Sequence, residues 1–378
     1  MESISLKQWK RAVIKVGSAL IAPGGVKCST KYTLPIAGFI TDCINQGKEI
    51  ILVSSGAVAA GLSTQPQMLK KNSRSIPEKQ ALAAIGQSLL MASWSHFFDF
   101  PCSQLLLTYD DIHNRKRYVN AKNALNQLLE MGTLPIVNEN DTVAIEELKV
   151  GDNDNLAAYV AILAEADFLI ICSDVDGLYD ADPKRSKSAK LIPVVEKIDQ
   201  SIYSLAGNSK NPLATGGMIT KIEAAQKAAV RGIDTIILNA TKSDVFDELF
   251  HGKLIGTIFK KTAHPMTAKK HWMLHALSVN GKIFVDAGAA KALLKKGASL
   301  LPSGINSVEG DFKQGEAVLI VFKDGKEIRR IAKGISQYGS SDINKIIGKK
   351  SSDIKNILGY IITEEVVHRD ELVLIEEN

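Results

Sequence analysis

Ile50-Ile51-Leu52-Val53-Ser54-Ser55-Gly56-Ala57-Val58-Ala59-Ala60-Gly61 reads as an apolar strand that passes through Ser-Ser-Gly into a helix of small residues. An uninterrupted apolar run closed by a turn signal fits a strand covered on both faces, as in a parallel sheet under helices. The same grammar extends in both directions. Apolar runs at residues 12–16 and 105–108 precede helical patterns at 34–44 and 119–129, and runs at 134–137 and 168–172 flank a helical pattern at 156–164. Residues 220–231 form a further helical pattern, followed by a β-type run at 235–238. Alternation of this kind from Arg11 to about Lys261 specifies an α/β fold, a mostly parallel open sheet with helices on both faces.

After Lys260 the rhythm stops. Short β-type runs at 282–286, 317–322, 328–335 and 372–375, divided by Gly and Pro, predict a small β-rich domain from about residue 276 to the end. A chain of 378 residues has the length for two such domains, and 45% apolar with 23% charged residues is ordinary globular composition. A net charge of +5 over this length calls for neither a nucleic-acid nor a membrane partner. Cys28, Cys43, Cys102 and Cys172 show no metal spacing and sit mostly in apolar settings, as reduced thiols do. The first ten residues lack a signal-peptide apolar region, and no apolar stretch reaches the roughly 18 residues of a membrane span. A soluble, cytoplasmic protein is expected.

Five segments bear chemistry. Lys15 interrupts the apolar strand Val13-Ile14-Lys15-Val16 before Gly17-Ser18, and a lysine inside a buried strand is costly unless its ammonium meets an anion. Ser54-Ser55-Gly56 opens a helix and offers backbone N–H groups, hydroxyls and the positive end of a dipole to an anion, although a serine N-cap has the same letters. Two Asx-rich bursts, Asn138-Glu139-Asn140-Asp141 and Asp152-Asn153-Asp154-Asn155, stand at strand ends and a helix start, where open α/β sheets bind ligands. Such residues also make turns and caps. The run from Ser173-Asp174-Val175-Asp176-Gly177 to Pro183 follows a strand, and could hold a ribose or metal-bound phosphates, or be an Asx-rich turn. Thr215-Gly216-Gly217-Met218-Ile219-Thr220-Lys221 places paired glycines before a helix whose early lysine opposes the dipole, which calls for an anion nearby.

Several chemistries are excluded. There is no GxxxxGK[ST] loop, no HExxH, no GxSxG and no GxGxxG after a strand. Asp152–Asn155 starts like an EF-hand loop, but Leu156 and Ala157 follow where an oxygen ligand and a glycine belong. His113 and His368 read as structural or surface residues. Two lysines, two glycine-marked helix entrances and an Asx cluster together suggest phosphoryl transfer.

In the order VIKVGS, LVSSGAVAAG, VNEND, KVGDNDNLAA, SDVDGLYDADP and TGGMITK, residues 11–261 resemble the amino-acid kinase family. Within it they are similar to the branch that phosphorylates the γ-carboxylate of glutamate at the start of proline synthesis. The tail, with Val285–Ala289, Gly297–Ile305 and Ala332-Lys333-Gly334, is similar to the PUA domain that this branch carries. The resemblance implies a kinase domain over residues 1–265 and a PUA domain over 276–378. It implies catalytic roles for Lys15, Lys221 and Asp154, the carboxylate orienting both ammonium groups. Ser55, Asp141 and Asn153 would hold L-glutamate, with Asn138 and Asp152 bracing the loops. ATP would contact Lys15, Ser173, Asp174, Thr215, Gly216, Gly217, Met218, Ile219, Thr220 and Lys221, with Mg²⁺ on its phosphates and no ligand to the metal from the protein. Ser173 stands where the family often has threonine, and keeps the hydroxyl. The resemblance further implies feedback inhibition by L-proline, delivery of product to a glutamyl phosphate reductase, and a homo-oligomer.

Other members of the family act on aspartate, acetylglutamate, carbamate or UMP; the PUA-like tail and the paired Asx strings argue against them. An RNA-binding protein is the alternative from another class, since PUA domains often bind RNA. Residues 276–378 hold 15 Lys and Arg against 14 Asp and Glu, without the basic field an RNA binder needs.

Overall fold

The computed structural model describes residues 4–69, 74–144, 153–183, 186, 188–206, 217–262, 279–324 and 327–375. Two compact units divide the chain, Met1–Pro265 and Met266–Asn378. In the first, eight strands form one sheet: β1 (Arg11–Val16), β2 (Glu49–Ser54), β3 (Cys102–Leu107), β4 (Leu134–Glu139), β5 (Phe168–Ser173), β6 (Val194–Val195), β7 (Asp234–Asn239) and β8 (Thr257–Phe259). Their order is β3-β4-β2-β1-β5-β7-β8-β6. All pairings are parallel except β7 with β8, so the expected mostly parallel sheet is present with one reversal near an edge. β6 and β8 went unanticipated, because two or three residues show no period.

Side-chain alternation sorts this sheet into two cores. Ala12, Ile14 and Val16 of β1 face a layer that includes α1 (Thr30–Asn45), α2 (Ala57–Leu62) and α3 (Ile76–Ser95). Val13 faces the other layer, with α4 (Arg115–Glu130), α5 (Asn153–Leu163) and α6 (Met218–Val230). Lys15 has the parity of Val13 and therefore projects toward α5 and α6. It pairs with Val53 of β2 and Ile171 of β5, so it sits on a central strand; an edge lysine reaching solvent is excluded.

Two boundaries differ from expectation at the Asx bursts. β4 runs on through Asn138 and Glu139, both buried, so half of the first burst belongs to a strand. Residues 148–152, including Asp152, lie outside the described residues. The next helix begins at Asn153 and not near Leu156, with Asn153 and Asp154 in its first turn. Unpaired N–H groups and the positive dipole end make that turn the favourable place for an acidic residue.

Helices α2 and α3 meet backbone to backbone. A Cβ on Gly86 would stand 1.8 Å from the Ala57 carbonyl oxygen, and one on Gly61 would stand 2.0 Å from that of Leu82. Gly86→Ala must push the helices apart, and is expected to cost at least about 1–3 kcal/mol, as overpacking does. Thermal denaturation reads this as a transition lowered by several degrees; an unchanged transition would contradict the close contact.

The second unit has its own sheet of β9 (Gly281–Val285), β10 (Ile305–Glu309), β11 (Ala317–Asp324), β12 (Glu327–Ile335) and β13 (Leu372–Leu374), ordered β10-β9-β11-β12-β13. Only β9 with β11 is parallel. The helix α7 (Ala287–Lys296) follows β9, with Asp286 Oδ1 accepting from the Ala289 N–H at 2.7 Å as its cap. Ile283, Val285, Ile320, Ala332, Tyr338 and Val367 are among its core residues. β10 was not anticipated, since Ile-Asn-Ser-Val-Glu buries only its first residue fully. Among the described residues no helix is long and apolar enough to cross a membrane.

Candidate active site

The carboxyl ends of β1, β2, β4 and β5 lie along one rim, and Ser55, Asn138 and Ser173 stand at or just beyond them. At its centre Asp154 is fully buried between two lysines. Lys15 Nζ, from β1, lies 2.5 Å from Asp154 Oδ1, and Lys221 Nζ, from the first turns of α6, lies 3.0 Å from Oδ2. Thr220 Oγ1 adds a hydrogen bond to Oδ2 at 3.0 Å. Both lysines are only 6% exposed. Burial pushes the Asp154 carboxyl up, but the charges and hydrogen bonds of Lys15 and Lys221 outweigh it and hold the group below the usual carboxylate range. The anion that each lysine required is therefore the same side chain.

Beside this node lies a cavity of about 490 Å³, whose lining includes Ser18, Ser55, Gly56, Asn138, Glu139, Asp141 and Asn153. Ser55 does not cap α2; the helix entrance at Gly56 has no side-chain cap. Instead Ser55 Oγ accepts from Asn153 Nδ2 at 2.6 Å, and the same amide donates to Asn138 Oδ1 at 2.9 Å. Asn138 Nδ2 in turn donates to Gln87 Oε1 on α3 at 2.9 Å. Gly56 has φ of 110°, and a Cβ there would press on Ile21 Cγ2 at 2.7 Å, so only glycine makes this turn. Ser54, the neighbour of Ser55, accepts from Trp94 Nε1 at 2.8 Å, which anchors the strand end to α3. Burial raises the Asp141 carboxyl pKa, while a hydrogen bond from its own backbone lowers it in part.

The other expected residues are spread around the node. Ser173 is buried at the end of β5, with Oγ 3.4 Å from a carboxylate oxygen of the exposed Asp174. Gly217 caps α6 in extended conformation, and a side chain there would meet no described atom within 4 Å. Met218 is half-buried, Ile219 is exposed, and Thr220 and Lys221 turn toward Asp154. Thr215 and Gly216 lie outside the described residues. The loop after Ser173 is partly a structural turn: Asp176 accepts from Asn239 Nδ2 at 2.9 Å and from Lys242 Nζ at 2.6 Å, tying it to the end of β7. His113 Nδ1 lies 2.7 Å from the Tyr109 carbonyl oxygen, and His368 Nδ1 accepts from the Asp370 N–H. All four cysteines are free, and burial pushes the thiols of Cys43 and Cys172 up to about 12. Among the described residues no three His, Cys, Asp or Glu side chains converge to hold a metal ion.

Two residues of this rim were not singled out by role in the sequence. Gln87 joins the amide chain from α3, where a glutamine among ordinary helical residues gives no signal. Glu139 was visible in the first Asx burst but without an assigned function.

The amino acid kinase family matches residues 10–239, and the PUA domain matches residues 281–358. A glutamate 5-kinase of Salinibacter ruber is 56% identical over 374 residues, covering 99% of this chain and 100% of the relative. One of Idiomarina loihiensis is 52% identical over 370 residues, covering 98% and 99%. Among solved structures, a UMP kinase from Bacillus anthracis covers 68% of this chain and 98% of its own at 16% identity, with a TM-score of 0.45, too low to bear on function. With a match over more than half its length and relatives that align nearly end to end, this chain belongs to the amino acid kinase family and ends in a PUA domain.

Proposed function

We propose that this protein is a glutamate 5-kinase, transferring the γ-phosphoryl group of ATP to the γ-carboxylate of L-glutamate to form L-glutamyl 5-phosphate, the first step of proline synthesis. The observation that supports this most is the buried Lys15–Asp154–Lys221 node beside a cavity walled by Ser55, Asp141 and Asn153. A γ-carboxylate with a pKa of about 4.3 is already ionised at neutral pH, so no general base is needed. What the reaction needs is neutralisation, since two anions must meet and the transition state spreads negative charge over the phosphoryl oxygens.

Lys15 and Lys221 would flank the transferred group, on two elements held in register by one carboxylate. Asp154 has no proton to give or take here; it fixes both ammonium groups before substrate arrives. The node has a net charge of +1, far short of a triphosphate's charge, and Mg²⁺ carried on the phosphates would neutralise a further part of it. Ser173, Asp174 and residues 215–221 would receive ATP. Asp141 would take the α-ammonium of glutamate, while Ser55 donates its hydroxyl to a carboxylate and Asn153 does so by turning one amide hydrogen from Ser55 Oγ to the substrate. Proline inhibition, transfer of product to a glutamyl phosphate reductase, a homo-oligomeric state and a cytoplasmic location complete the proposal. They rest on family resemblance, whereas the division into a kinase domain over 1–265 and a PUA domain over 276–378 is also supported by the two compact units.

Asn153→Ala should raise the KM for glutamate about 10- to 100-fold, the worth of a hydrogen bond to a charged group, with a smaller change in kcat. Steady-state kinetics at saturating ATP reads the split, and a loss confined to kcat would mean that Asn153 and Asp154 have been given each other's roles. A coupled assay of ATP turnover with a panel of acids tests the substrate: turnover with aspartate and none with glutamate would sink the proposal.

A further inference from the structure

Glu139 closes the wall of the glutamate cavity with a carboxyl group that no described residue answers. It is the last residue of β4, only 9% exposed, and among the described residues its carboxylate has no hydrogen-bond or ion-pair partner. It lines the 490 Å³ cavity and also a second one of about 290 Å³ between α3, the end of β3 and the loop after β4. Of the described residues lining the two cavities, only Glu139 and Asp141 carry ionisable carboxyl groups, and none carries a cationic side chain.

From α3 the facing polar group is Gln87, from β3 Gln104, and from α5 Asn153, all neutral amides; Asp141 is the charged neighbour. Burial and then the charge of Asp141 push the Glu139 carboxyl up to about 7. A buried, unpaired carboxylate is expensive and waits for a proton or a cation.

We infer that Glu139 is a further substrate-binding residue, which receives the α-ammonium of the amino-acid substrate together with Asp141 and makes its affinity depend on pH near neutrality. This rests on the proposed function, whose substrate brings the one cation that the wall lacks. The free site holds a proton on Glu139 below about pH 7, and ammonium binding expels it. The sign follows: affinity rises with pH through that range and then levels, because the substrate ammonium itself stays protonated.

Between about pH 6 and 8 the glutamate KM should fall about tenfold in the native protein, and glutamate uptake at pH 7, titrated calorimetrically with a non-hydrolysable ATP analogue in buffers of different ionisation enthalpy, should release about half a proton. Glu139→Gln, close to isosteric, should abolish both the slope and the release and raise KM at pH 8. Its folding is checked independently, since removing the unpaired charge should leave its melting temperature at pH 8 equal or higher. A variant that keeps the slope and the proton release, in a native protein that takes up glutamate, overturns the role of Glu139 alone. A native protein that takes up no glutamate overturns both this inference and the function it rests on.

Discussion

Lys221→Ala should lower kcat by about 100-fold or more, the loss seen when one preorganised donor to a transition state is removed. Its ammonium lies 3.0 Å from Asp154 and is held in a site 6% exposed, so it is oriented before substrate arrives. In the ground state it meets a phosphate already bound by other groups; in the transition state it meets the charge that spreads over the equatorial oxygens. The loss should therefore fall on kcat more than on the KM for either substrate. Lys15 is its counterpart across the carboxylate, and Lys15→Ala should behave alike, with losses far from additive because both lysines serve one charge. Steady-state rates of ATP turnover check this, and a Lys221→Ala enzyme within a few-fold of native kcat would remove the lysine from the chemistry.

Asp154→Ala should lower kcat as well, and unlike the lysine changes it should cost the fold about 3–5 kcal/mol, since it leaves two buried ammonium groups without their shared anion. Chemical denaturation separates this from an effect on rate alone. The native residue also links stability to pH. Its folded pKa lies below the unfolded value, so its contribution is complete above the unfolded pKa of about 3.9 and is lost as pH falls through the lower folded value. The variant should lack that part of the acid-side loss. An Asp154→Ala protein as stable as the native one would show that the pair of lysines does not depend on this carboxylate.

Much of this node is legible in the sequence. Lys15 was visible because one charge inside Val13-Ile14-Lys15-Val16 breaks a pattern that otherwise forbids it, and strand parity then decides which helices it meets. Lys221 was visible for a similar reason, as a cation at the wrong end of a helix dipole. That one Asp154 answers both grievances came only from the family resemblance and not from local pattern, since it is a long-range fact set by how α5 and α6 pack on one face of the sheet. Local pattern also misplaced the start of α5, because Asx residues that usually stop a helix here occupy its first turn. Gln87 was out of reach: its value lies in a hydrogen bond to Asn138, 51 positions along the chain, and nothing around it on α3 marks it. The short strands β6 and β8 fail for want of length, and β10 because most of its residues are not fully buried.

The most direct test is chemical. The protein incubated with ATP, Mg²⁺, L-glutamate and hydroxylamine should yield glutamyl hydroxamate, the product of trapping an acyl phosphate, in an amount that depends on glutamate and falls away in Lys221→Ala. A folded protein that forms no glutamate-dependent hydroxamate would contradict the assignment of this site to phosphoryl transfer onto the γ-carboxylate.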